Sequence, residues 1–254
     1  MRDMRNTAAA ALVSAAALSA LTGCGTDTTV AGRVRTPQQQ LLAAVPGPDA
    51  ISYGFALTEG ETKRSGVLQP ASKQGFMQIE QRDAAGALSV TMQFLVRDGH
   101  AWSKIAFSKT TPGTGVPSQW MSLDPEKITN KDLLSTVVDP ASAKLLIAQA
   151  SEVTGDGASF RGILDLTKVP EVHIADPGEI AALRDKASRI PFTAAVDAGN
   201  HLSTLSIAVP AIGARPAYQR VAEYRDFGTA VIPAAPAAKS VVDTPAKVYD
   251  LFNS

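Results

Sequence analysis

The one cysteine of the chain, Cys24, stands directly behind Leu21-Thr22-Gly23. A cysteine thiolate is a nucleophile, and in this setting its chemistry is to accept a diacylglycerol at sulfur, with a signal peptidase cutting just before it. Small residues suit the cut because the peptidase closes on an extended backbone. Upstream, Arg2 and Arg5 outweigh Asp3, and Ala8 to Leu21 is almost wholly Ala, Leu and Val. That run is shorter than the roughly 20 residues that span a bilayer as a helix. A charged start, a short apolar run and small residues before the cut predict a lipoprotein signal peptide over 1–23. A lipidated N-terminus and flexible tether are expected over 24–35, and a single domain over 36–254. Two or more acyl chains, at about 0.8 kcal/mol per buried CH₂, hold a protein firmly. The expected location is therefore the extracytoplasmic face of the cell membrane, with the diacylglycerol on Cys24 as the membrane contact.

Other reactive side chains form no recognisable set. His100, His173 and His201 follow turns or lie in a Pro-flanked loop and are expected to be exposed. No pair is spaced i, i+4, and no second cysteine could help hold a metal. There is no G-x-S-x-G elbow or S-x-x-K motif to activate a serine, and no Gly-rich loop leads into a helix to cradle phosphate. Asp98, Asp156 and Asp197 read as turn residues. Arg64, Arg97, Arg161 and Arg225 lie in part-apolar strands and are expected to face solvent, though one could meet a lipid head group at a cavity mouth. The expectation is no catalysis, no metal and no cofactor. Acidic and basic residues balance at 24 each, without a Lys/Arg run, which argues against a nucleic-acid partner. A lone cysteine excludes an internal disulfide.

The elements that must carry these residues follow from periodicity. Thr36-Pro37 opens a helix running to about Val45. From Ile51 the period is two: Ile51, Tyr53, Phe55 and Leu57 alternate with small residues. Further strands are expected near 63–69, 74–81, 88–96, 101–107 and 120–123, with turns at 83–86 and at Asp98-Gly99. A Pro/Gly/Thr loop covers 110–118. Short helices are expected over 128–134 and from Asp139-Pro140 to about Ala150. Strands at 151–154 and 160–166 follow, then a helix over 177–188 with Asp176 as cap. Strands at 190–196, 202–209 and 217–225 precede a Pro/Ala tail and a last helix over 243–252. Nine or ten strands joined mostly by tight turns predict an α+β fold, a large curved antiparallel sheet with a few helices packed against it.

Alternation places Ile51, Tyr53, Phe55, Leu57, Val90, Met92, Phe94, Phe160, Leu164, Ile190, Phe192, Leu205 and Ile207 on one apolar face. Burial against a helix and burial against a ligand select the same side chains, so this face reads either as an ordinary core or as the lining of a hollow.

Two C-terminal stretches carry a family likeness: Ile190-Pro191-Phe192-Thr193-Ala194-Ala195-Val196-Asp197 with Leu202-Ser203-Thr204-Leu205, and Tyr224-Arg225-Asp226-Phe227-Gly228-Thr229-Ala230-Val231. With the lipobox leader, the opening helix and the strand meander interrupted by helices, the chain resembles the LppX/LprG/LprA/LprF lipoproteins of mycobacteria and other actinobacteria. The resemblance spans the element order from about Thr36 to the end. It implies a half-barrel with helices on its concave side, enclosing an apolar cavity that accepts acylated lipids for carriage across the envelope. The ligand class it implies is glycolipid, phospholipid or triacylglycerol, and an envelope transporter is a possible partner.

The pocket candidates come from alternation alone: Tyr53, Phe55, Leu57, Val90, Met92, Phe94, Phe160, Leu164, Phe192, Leu205 and Ile207. Three functions compete. A lipid carrier predicts a ligand in the hollow. A non-carrying module that docks a transporter or sensor partner predicts a filled core. A hydrolase predicts acyl-ester turnover dependent on one Ser or His. A Trp at Phe94 or Leu164 separates the first two, since overpacking a solid core typically costs about 1–3 kcal/mol.

Overall fold

The computed structural model describes residues 35–82, 88–109, 115–129, 139–172, 174–213 and 215–253, all within one compact unit, Arg35–Ser254. The leader, Cys24, the turn at 83–86, most of the 110–118 loop, most of the 128–134 helix and His173 lie outside the described residues. So does all of the tether except Arg35.

Two antiparallel meanders join into one large, open, curved sheet of 12 strands. The first holds β1 (Tyr53–Glu59), β2 (Thr62–Gln69), β3 (Gln74–Arg82), β4 (Ser89–Arg97), β5 (His100–Phe107) and β6 (Trp120–Leu123). The second holds β7 (Ser151–Gly155), β8 (Ser159–Leu164), β9 (Ile190–Val196), β10 (Leu202–Val209) and β11 (Tyr218–Arg225). They meet where β1 pairs with β11, so the first and last long strands form the centre. Asp98 (φ 51°) and Gly99 (φ 76°) both take the left-handed conformation of a two-residue hairpin turn.

The sheet is mixed rather than wholly antiparallel, and it has more strands than expected. After β11 the tail turns at Asp226–Thr229, and its Ile232 and Pro233 carbonyls accept hydrogen bonds from Arg97 Nη1 at 3.3 and 3.0 Å. Arg97 therefore fastens the tail while its side chain stays 35 % exposed. The chain then reaches the far edge, where β12 (Val241–Asp243) runs parallel to β6. A three-residue strand of this kind has no periodicity to announce it.

Four α-helices accompany the sheet among the described residues. In α1 (Pro37–Ala44), Thr36 and Gln39 form a reciprocal capping box. Gln38 Nε2 donates to the carbonyls of Ile147, Ala148 and Ala150, which ties α1 to the end of α2 (Ala143–Ala148). Helix α2 starts later than Asp139-Pro140 suggested, because Ser142 takes a left-handed φ of 53°. Asp139 still serves it, as Oδ2 accepts from the Lys144 N–H at 2.8 Å. Asp176 and Glu179 box the start of α3 (Pro177–Leu183). That helix ends early because Arg184 has φ 50°, and a 3-10 turn continues it to Ser188. The Phe252 ring of α4 (Ala246–Asn253) lies 5.2 Å from Phe94. No described helix is long and apolar enough to cross a membrane.

Candidate functional site

Directly paired residues of neighbouring strands share a face of the sheet, so the register sorts the candidates into rows. One row runs Phe160, Ala194, Leu205, Ala222, Leu57, Arg64, Ile79, Met92, Ile105 from β8 to β5. The next runs Gly162, Phe192, Ile207, Arg220, Glu59, Thr62, Gln81, Val90, Phe107. On the other side of the first run Tyr224, Phe55, Gly66, Met77, Phe94, Ser103 and Met121. Tyr53 and Leu164 share this face by their even spacing from Phe55 and Phe160. All eleven pocket candidates therefore lie on one face, hereafter the core face. Ile51 is the exception among the wider set of alternating residues: it precedes β1 and is 53 % exposed.

The face is not uniform. Tyr53, Phe55, Leu57, Leu164, Phe192, Leu205 and Ile207 are at most 2 % exposed, and Phe160 and Phe94 are also buried. They pack in one continuous cluster with Leu41, Leu146, Ile147, Leu166 and Leu183. Two of the rings reach over a glycine paired with them on the neighbouring strand. A Cβ on Gly66 would come within 2.9 Å of the Phe55 ring, and one on Gly162 within 2.6 Å of the Phe192 ring. Val90 and Met92 differ. With their row neighbours Ile79 and Phe107 they are only half-buried, touching the core at its margin.

One end of the core face is polar. Arg220 is 3 % exposed; its Nη1 donates to the Ala141 carbonyl at 3.1 Å, and its Nε stands 3.4 Å from Glu59 Oε1. The Nε–H makes no hydrogen bond of good geometry. Arg64, opposite Leu57, lies on the same face and is half-buried. Burial lowers its guanidinium pKa, the Glu59 charge raises it again in part, and Arg220 lowers it further. Just before β11, Arg215 pairs with Glu179 at 3.1 Å and stacks over Tyr218, whose hydroxyl donates to the Ile174 carbonyl at 3.1 Å.

A second polar group lies towards the other end. The hydroxyl of Tyr224 points at Asp139 without full hydrogen-bond geometry. Burial first, and then the Asp139 charge, push the phenol pKa of both Tyr224 and Tyr53 upward. Phe227 stacks on Tyr53 at 5.6 Å, and the His201 ring stacks on Phe227 at 4.1 Å. His201 is thus a half-buried plug over an aromatic stack, not an exposed loop residue. His100 is exposed, stacked on Trp102, with Nδ1 2.9 Å from the Asp98 carbonyl.

Elsewhere the expected turn chemistry is present. Asp156 Oδ1 accepts from the Ala158 and Ser159 N–H groups, and Asp197 Oδ1 from those of Gly199 and His201. Those backbone hydrogen bonds hold both carboxyls below the usual range. Arg161 lies beside Thr154, and Arg225 beside Asp226. Among the described residues no three His, Cys, Asp or Glu side chains converge as a metal site would require. Two open grooves lie at the surface. One, of about 640 Å³, runs along the exposed Thr154, Arg161 and Thr193 and reaches Phe160; the other, of about 440 Å³, lies between Lys186, Pro191 and Pro210.

No protein-family model matches this chain, and no curated protein does.

Glu59 and Arg220 are not among the residues singled out in the sequence, though their signal is present. Glu59 continues the series Tyr53, Phe55, Leu57 at the same period, and Arg220 does so for Tyr224 and Ala222. A charged residue in phase with an apolar face is the mark of a buried ionic group.

Proposed function

We propose that this protein is a membrane-anchored envelope lipoprotein of the LppX/LprG/LprA/LprF type. It takes acylated lipid onto the concave side of a half-barrel, where the helices also lie, and carries or presents it across the envelope. The observation that supports this reading is the half-buried apolar patch of Ile79, Val90, Met92 and Phe107, on a core face that is buried through the second meander. Acyl chains laid there would leave water at a gain of roughly 25 cal/mol per Å². An apolar site with few polar groups suits a ligand defined by its tails, which fits a glycolipid, a phospholipid or a triacylglycerol. A diacylglycerol on Cys24 would keep that patch near the membrane that supplies lipid. The segment 24–35 can extend at about 3.3 Å per residue, a reach of some 30–40 Å.

A second reading has its own support. Nine of the eleven alternation-derived residues are buried among protein atoms. A filled core of that kind suits a module that docks a transporter or sensor and carries nothing.

Native mass spectrometry of the full chain carrying Cys24→Ser, purified without detergent, separates the two. The carrier reading expects a lipid mass on the protein, or uptake of added glycerolipid. Bare protein that takes up none would leave the docking reading standing.

A further inference from the structure

We propose that Arg64, backed by Arg220, is the receptor for an anionic head group, a phosphate or carboxylate, on the lipid whose chains lie along Ile79, Met92 and Val90. This rests on the lipid-binding reading above and adds the charge class of the ligand.

At the polar end of the core face the charges that act on Arg64 are Glu59 and Arg220, and Glu59 stands 3.4 Å from Arg220; Asp139, whose charge acts with that of Arg220 on Tyr224, is not among them. The neighbouring Arg215 does not alter this balance, because Glu179 already neutralises it at 3.1 Å. Arg220 engages Glu59 and the Ala141 carbonyl. Arg64 makes no hydrogen bond or ion pair among the described residues. It is a half-buried cation, placed between Leu57 on one side and Ile79 on the other, repelled by Arg220 and only partly offset by Glu59. Removing a charge from water is costly unless it is paired.

Position gives the site its use. Arg64 pairs with Ile79, and Ile79 with Met92, in one cross-sheet row. A cation therefore borders the apolar patch directly, at the strand spacing of about 4.8 Å. An amphiphile with its chains on Ile79 and Met92 would bring its head group to Arg64, where a planar fork of N–H donors can hold two anionic oxygens at once. The bland alternative is that Arg64 lays its stem along Leu57 and keeps its head in water. A snorkelling arginine confers no preference for ligand charge, and this makes the two separable.

The experiment compares dioleoylphosphatidylglycerol with uncharged dioleoylglycerol, offered from neutral phosphatidylcholine vesicles to the full chain carrying Cys24→Ser. Bound lipid is counted by mass spectrometry. A charge-assisted contact predicts that the anionic lipid is preferred by about tenfold or more. Arg64→Gln should abolish that preference while leaving dioleoylglycerol uptake intact, and Arg64→Lys should retain part of it. Millimolar inorganic phosphate distinguishes the sources: competition with the anionic lipid alone means that the site reads phosphate itself, and no competition means that it needs the tethered head group. Equal uptake of both lipids, unaffected by Arg64→Gln, would overturn the inference and leave lipid binding standing. Uptake of neither would remove the lipid-binding reading beneath it. Should Arg64→Gln fold poorly by its melting temperature, the wild-type preference and Arg64→Lys still decide the outcome.

Discussion

The two halves of the sheet use the same pleat differently. In the second meander, β8, β9 and β11 alternate between buried and exposed positions along most of their length, and the buried side chains belong to a closed cluster. In the first, β2 and β4 are half-buried at most positions on both faces. The second half is a sheet that has found its cover. The first has apolar residues in the same phase without complete cover, and it carries Arg64 at their border, next to Ile79. Alternation alone cannot separate these two states, because a strand that awaits a ligand and a strand that has met a helix present the same residues.

Truncation would break the comparison most sharply. Phe192→Ala, in the closed half, should cost about 3–5 kcal/mol of stability. Met92→Ala, at the half-buried patch, should cost about 1 kcal/mol, near the average of point substitutions. Urea unfolding of the two variants checks this; equal losses would mean that the first half is packed as tightly as the second.

Acid should sharpen the comparison by a smaller effect. The carboxyls held below their usual range all lie in the second half. The Thr167 hydroxyl bond lowers Asp165, and backbone N–H groups lower Asp156 and Asp197. A carboxyl depressed in the folded state adds stability that is present above its unfolded pKa and is lost as pH falls through the folded one. The window here lies below about pH 4. Both tryptophans, Trp102 and Trp120, lie in the first half. On acidification, circular dichroism should therefore change before tryptophan emission. Coincident transitions would show the halves to be one cooperative unit.

Much of the fold is legible in the residues, and the exceptions have physical causes. Tyr53, Phe55 and Leu57 announce β1 because each alternates with a small residue. The edge strand Val241–Asp243 is invisible because its pairing with β6 depends on the course of the tail, which Arg97 fixes from far away in sequence. The two shortened helices are set by positive φ angles at Ser142 and Arg184, which no side-chain preference predicts. At the candidate site, alternation identified the face but stopped at its apolar members. Glu59 and Arg220 escape notice because a charge in phase with a core looks like an interruption, and Arg64, one of four strand arginines expected to face solvent, is singled out only by the register, which sets it beside them on the core face.

In the proposed carrier, acyl chains lie on the first half of the core face. A lipid carrying a diazirine in its acyl chain, bound to the full chain with Cys24→Ser and then photolysed, tests it directly. Labelled peptides should map to β3, β4 and β5 around Ile79, Met92, Val90 and Phe107. Labelling confined to β8–β10, or none above an unbound control, would contradict it.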